Sequence, residues 1–163
     1  MKRKILSTEM SVNASKKISK EEVELETLKS FLKNRELLFD SLFVDSNKSE
    51  PTDIRYNGVN YQITIGDKEQ VQRMRKLMSK ELIVVEIRNF ANIPDLLLSG
   101  ALQKKATRSD KNTILLIEAS STGGLDWPTL QAEVSKYASG RAELCSGWKE
   151  IYLVFKDKNL RVN

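Results

Sequence analysis

Twelve residues, IRYNGVNYQITI (54–65), leave the chain little freedom locally. An Asn-Gly pair between alternating apolar residues marks a two-residue hairpin loop, because a type I′ turn needs positive φ at both central positions and these two residues tolerate it. With the loop at Asn57-Gly58, Tyr56 and Val59 close the ladder, Arg55 faces Asn60, Ile54 faces Tyr61, and Asp53 faces Gln62. Alternation then gathers Ile54, Tyr56, Val59, Tyr61, Ile63 and Ile65 on one face, and Asp53, Arg55, Asn60, Gln62 and Thr64 on the other. In this register Asp53 and Gln62 form a non-hydrogen-bonded pair, the kind whose side chains approach most closely.

The flanking sequence supplies helices and further strands. Ser19 with Glu22 three positions on is a capping box, and Leu25, Leu28, Phe31, Leu32, Arg35, Leu38 and Phe39 recur at helical spacing to about Leu42, where VDSNKSEP supplies turn residues. Asp67, with Gln70 three positions on, caps a second helix through KEQVQRMRKLMSKEL. LIVVEIRNF reads as a strand or a helix end, and we take it as a strand. A helix around IPDLLLSGALQKKA has Pro94 in its first turn, and Lys104 and Lys105 at its end suit the helix dipole. NTILLIEAS has the continuous apolar character of a strand covered on both faces, SSTGGLD is a loop, Asp126 starts the helix WPTLQAEVSKYA that Gly140 stops, and WKEIYLVF is a last strand. This order predicts an α/β fold, a mixed central sheet flanked by helices, in a single domain over 21–163 behind a flexible basic tail over 1–20.

Composition removes several chemistries. The chain has no histidine and one cysteine, Cys145, so a disulfide framework, a zinc cage and an imidazole base are excluded. Any metal is then a hard cation such as Mg²⁺ held by carboxylates. No apolar run approaches membrane-spanning length and no secretory signal is visible, which predicts a cytoplasmic protein without a membrane partner. The net charge of +5 resides in the tail, where six bases oppose one acid. Residues 21–67 hold ten acids against five bases and residues 68–111 reverse the ratio, so an acidic patch borders a basic one. That is the pattern of a metal site beside a phosphate-binding surface, and equally of two ordinary solvated faces. Arg73, Arg75, Lys76 and Lys80 on the second helix suit a DNA backbone on the first of these readings. STGGLD lacks the lysine of a P-loop, and Trp127 and Trp148 read as core edges.

A helix bearing carboxylates, then Pro51-x-Asp53-Ile54, then Gln62-x-Thr64 on the hairpin partner, then further α/β units, resembles the PD-(D/E)XK nuclease superfamily, the restriction-endonuclease-like fold. In layout the chain is similar to small bacterial proteins regarded as degenerate members. The resemblance implies a Mg²⁺-dependent nuclease acting on DNA, with Asp53 and Gln62 at the metal. An acid from the first helix completes the site in that family. With Leu28 at the centre of the buried stripe, Glu24 lies nearest that face and Glu21 is second choice. Thr64 stands where the family has its lysine, which leaves Lys68 as a stand-in cation and Glu69 as a displaced ligand. The alternative is a catalytically inactive nuclease-like module that recognises a protein or a nucleic acid. A half-wet hairpin also carries this pattern without any site, with Asp53 and Gln62 as an ordinary cross-strand hydrogen bond.

Overall fold

The computed structural model describes residues 19–45, 52–66, 94–120 and 126–163. The tail, the Asp67-capped helix, LIVVEIRNF and most of the SSTGGLD loop lie outside those residues, as do Lys68 and Glu69. Among the described residues six strands form one mixed sheet, in spatial order β1 (Val44–Asp45), β2 (Ile54–Tyr56), β3 (Val59–Ile65), β4 (Thr113–Glu118), β5 (Glu150–Val154) and β6 (Asn159–Arg161). The first three make an antiparallel meander, β3, β4 and β5 run parallel, and β6 returns antiparallel along β5.

The hairpin forms as its residues dictate. Asn57 and Gly58 adopt φ of 48° and 76°, and the pairs are Tyr56–Val59, Arg55–Asn60 and Ile54–Tyr61. Its ladder stops one pair short of the expected Asp53–Gln62. The Asp53 N–H donates to Tyr61 O at 2.9 Å, and Asp53 Oδ2 accepts the N–H of Ile63 at 2.8 Å. A side-chain oxygen therefore replaces the next backbone acceptor. Asp53 turns towards the β3 backbone instead of lying flat beside Gln62.

Parity along β4 sorts the core into two layers. Ile114 and Leu116 join Tyr61, Ile63 and Val154 on the face covered by helix α1 (Lys20–Lys33), through Leu28, Phe31 and Leu32. Leu115 and Ile117 join Ile151 and Leu153 on the opposite face. That face is covered by the helical segment after Pro94, a π-helical stretch Asp95–Ser99 running into α2 (Gly100–Lys105), and by α3 (Trp127–Gly140). Every residue of β4 except Glu118 is buried, as expected for a strand paired in parallel on both sides. Gly66 permits the close approach behind β3: a Cβ there would stand 3.1 Å from Leu97 O and 3.2 Å from Glu118 O.

Three expectations need correcting. The first helix ends at Lys33, well before Leu42, because the chain turns through Glu36 at φ 59° and Leu37 N–H bonds back to Leu32 O at 2.9 Å. Asn34 fixes that end: its amide donates to Phe155 O and Asn159 Oδ1, while Asn159 donates to Phe31 O. Leu38 and Leu42, which continue the helical period in sequence, are 95% and 87% exposed. Second, Val44 and Asp45 are not turn residues but edge strand β1, joined to β2. Third, the chain does not finish with β5, because Leu160 and Val162 bury along a sixth strand. Two of the expected caps hold, with Ser19 accepting from Glu22 N–H and Asp126 from Thr129 N–H, and Trp148 is buried as expected.

Candidate functional site

Asp53 sits just ahead of β2, and both helical layers reach it. From the α2 side comes Lys105, whose Nζ lies 3.4 Å from Asp53 Oδ2. From the α1 side comes Lys20, whose Nζ lies 3.8 Å from Asp53 Oδ1 and 3.1 Å from Glu24 Oε1. Two carboxylates from separate elements thus share one exposed ammonium, and one of them also faces a second, buried ammonium. The side chains of Glu24 and Asp53 are each 9% exposed, that of Lys105 5%, and that of Lys20 67%.

Local sequence explains each placement. Glu24 precedes Leu28 by four residues and Phe31 by seven, so it rides the buried stripe of α1, whereas Glu21 is exposed. Lys105 follows Leu98 by seven residues and Leu102 by three, and so extends the stripe that packs on β4. Sequence reasoning assigned Lys105 to the helix dipole at the surface, and the structure buries it. The missed signal was its position on an apolar stripe. Burial pulls the Lys105 pKa below its usual value, against the opposing pull of Asp53. The Lys20 pKa is raised, first by its hydrogen bond to Glu24 and then by the charges of Glu24 and Asp53.

Gln62 is wholly buried and not on a wet face. It projects to the side of its β4 partner Leu115, where its Nε2 approaches Arg108 O at 3.4 Å in the turn that follows α2. Glu24 rides over the opposite face of the sheet, so the structure joins Glu24 to Asp53 through Lys20 and holds Gln62 on the Lys105 side. Thr64 is also buried, at 7% exposure, within β3.

The chemistry of this donor set suits a hard cation. Mg²⁺ binds through one or two carboxylates and keeps several waters, and Glu24 and Asp53 supply two carboxylates, while Gln62 lies on the opposite face of the sheet from Glu24. Among the described residues no group of three or more acidic, histidine or cysteine side chains gathers in one place, so a site here rests on two charged ligands. Cys145 is buried, and desolvation raises its thiol pKa, the opposite of what a nucleophile needs. Among the described residues no helix is long and apolar enough to cross a membrane. No protein-family model, curated protein or solved structure matches the chain.

Proposed function

We propose that the chain is a metal-dependent nuclease of restriction-endonuclease-like fold that hydrolyses DNA phosphodiesters at Asp53. The observation that carries this reading is that Asp53 is reached from two sides, by the buried Lys105 and by Lys20, which also pairs with Glu24. The order of helix, three-strand meander, helical segment and parallel strand supports the fold kinship. Glu24 and Asp53 would hold the cation. A bound Mg²⁺ supplies charge stabilisation for the phosphate and a water made nucleophilic near neutral pH.

The remaining work falls to the chain itself. Asp53 is held by the Ile63 N–H through Oδ2, which fixes the carboxylate with Oδ1 on the Lys20 side. Lys105 takes the role for which sequence offered Lys68: a cation beside the essential carboxylate, able to orient a water or steady a phosphate oxygen. Its lowered pKa brings the ammonium nearer to the range where a lysine exchanges protons.

One observation favours the second reading, a catalytically inactive module that binds a nucleic acid or a protein. Among the described residues both carboxylates already face lysines, with the charge of Arg108 also close enough to act on both ammoniums. Plasmid cleavage with and without Mg²⁺ or Mn²⁺ separates the two, using wild type, Asp53→Asn and Glu24→Gln. Metal-dependent cutting that both substitutions abolish supports the nuclease. Salt-sensitive DNA retention without cutting supports the binding module. Cutting that survives both substitutions overturns the assignment of the site.

A further inference from the structure

The link between α1 and β1 carries apolar side chains that the fold of one copy does not use. Leu38 and Leu42 are almost wholly exposed, and Leu37, Phe43 and Val44 are exposed by 40–51%. Single exposed leucines are ordinary, but five large apolar side chains within eight consecutive residues make a patch, and such patches mark contact surfaces. The segment is also held in shape. The Leu37 N–H donates to Leu32 O at 2.9 Å, the Asp40 N–H to Tyr56 Oη at 3.1 Å, the Leu42 N–H to Asp40 Oδ1 at 2.9 Å, and the Asn57 N–H to Phe43 O at 2.8 Å. Phe39 stacks on the buried Tyr56 and Phe43 meets the same ring edge-on. Ordering this stretch costs backbone entropy, and its outward leucines return almost nothing to a single copy. A surface fixed in advance is what a contact needs, because less is lost when it docks.

We infer that this face is where two copies of the chain associate about a two-fold axis, Leu37, Leu38, Leu42, Phe43 and Val44 of one packing on the same residues of the other. Area, position and charge each favour a second copy. The five exposures together amount to about three whole side chains, roughly 500–600 Å². A two-fold contact buries that surface twice, about 1,000–1,200 Å², which is the lower limit for a specific interface and suits a weak, reversible dimer. The patch runs into β1, the edge strand, and among the described residues no strand lies beyond it. An isologous contact at a sheet edge closes on itself at two copies and ends there. Around the patch Arg35 and Arg55 stand against Glu36, Asp40 and Asp45, with Arg55 3.6 Å from Asp45. A rim of mixed sign offers a polyanion little, and a copy of itself turned by half a revolution can present opposite charges to it. The inference stands independently of the metal reading of Asp53.

The test is sedimentation equilibrium of the full chain from about 1 to 200 µM, since an interface of this size points to dissociation in the range of about ten to a hundred micromolar. Leu38→Ser with Leu42→Ser should raise the dissociation constant at least about tenfold. Neither side chain supports the fold of one copy, so the circular dichroism spectrum should stay as in wild type and folding stability should be unchanged at concentrations where the chain is single. As a second measurement, the Leu38→Cys variant should cross-link to itself under an added oxidant, while the buried Cys145 stays silent and Lys136→Cys, on the exposed side of α3 across the sheet, does not cross-link. A dimer that the serine substitutions dissolve, with cross-linking through position 38 alone, supports the proposal. A chain that stays single at every concentration overturns it and leaves the face to a different protein or to the chain's own apolar run 82–87. Association that survives both serine substitutions, that grows past two copies, or that cross-links Lys136→Cys as readily as Leu38→Cys overturns it as well.

Discussion

Removing Asp53 should destabilise the fold in a way that depends on pH, and the size follows from the burial of Lys105. At 3.4 Å the gross attraction between the two charges is about 5 kcal/mol at an effective dielectric constant of about 20, largely cancelled by the desolvation of both groups. The intact pair thus adds little net stability. Breaking it is another matter. Asp53→Ala strands a buried ammonium together with the Ile63 N–H, and the expected loss is about 3–5 kcal/mol at pH 7. The lysine can escape by giving up its proton, which limits its share to about 5 kcal/mol at pH 7 and about 2 kcal/mol at pH 9, given a usual pKa of 10.5. In this variant the folded state binds fewer protons than the unfolded state, so stability rises with pH across the window between the depressed pKa and 10.5. The deficit relative to wild type should shrink by about 1 kcal/mol or more from pH 7 to pH 9. Urea denaturation followed by the fluorescence of the buried Trp148 measures it. Lys105→Met should cost less than Asp53→Ala, because Asp53 keeps Lys20 and the Ile63 N–H, and the double variant should recover most of what Asp53→Ala loses. A deficit that is equal at both pH values, or that Lys105→Met fails to relieve, refutes the buried ion pair.

Other expectations follow from the same geometry. In wild type the lowered Lys105 pKa makes a contribution to stability that improves as pH rises towards 10.5, whereas the raised values of Lys20, Tyr61 and Tyr152 remove stability above their usual values. The curve for Lys105→Met minus that for wild type should therefore fall across the alkaline window, and a flat difference refutes the shift. Asn34→Ala removes two donors that join α1 to the β5–β6 hairpin and should cost about 2 kcal/mol, seen as a lower urea midpoint. Gly66→Ala drives a methyl against two backbone carbonyls and should cost about 1–3 kcal/mol by the same measure. Leu38→Ser with Leu42→Ser should leave stability within about 0.5 kcal/mol, since both side chains face solvent, and a large loss would show that the helix continues past Lys33.

Much of the frame was legible because local rules decided it. The Asn57-Gly58 loop has few conformational options, and from it the register as far as Ile54–Tyr61 followed by counting. The helical period placed Glu24, and not Glu21, on the buried side of α1 because Leu28 and Phe31 define that side. What escaped depended on residues distant in sequence. The period of α1 runs on through Leu38, but the stop comes from Asn34 bonding to Phe155 and Asn159, which no local pattern registers. Lys105 looked like a surface charge at a helix end because the carboxylate that makes its burial tolerable belongs to residue 53. β6 is short and largely polar, and only its place beside β5 reveals Leu160 and Val162 as core. The last ladder step at Asp53 failed because a side-chain oxygen competed with the backbone for the Ile63 N–H.

The bond between Asn34 and Asn159 spans 125 positions of the chain, and this sets a timetable for biosynthesis. At about 5–20 residues per second, the ribosome delivers Asn159 some ~6–25 s after Asn34. Through that interval the apolar stripe of α1 gains its cover in stages, from Tyr56, Tyr61 and Ile63, then Ile114 and Leu116, and last Val154. The nascent chain therefore carries Leu28, Phe31 and Leu32 with incomplete cover until β5 and Asn159 arrive, and slowed translation would lengthen their exposure to chaperones and proteases in proportion.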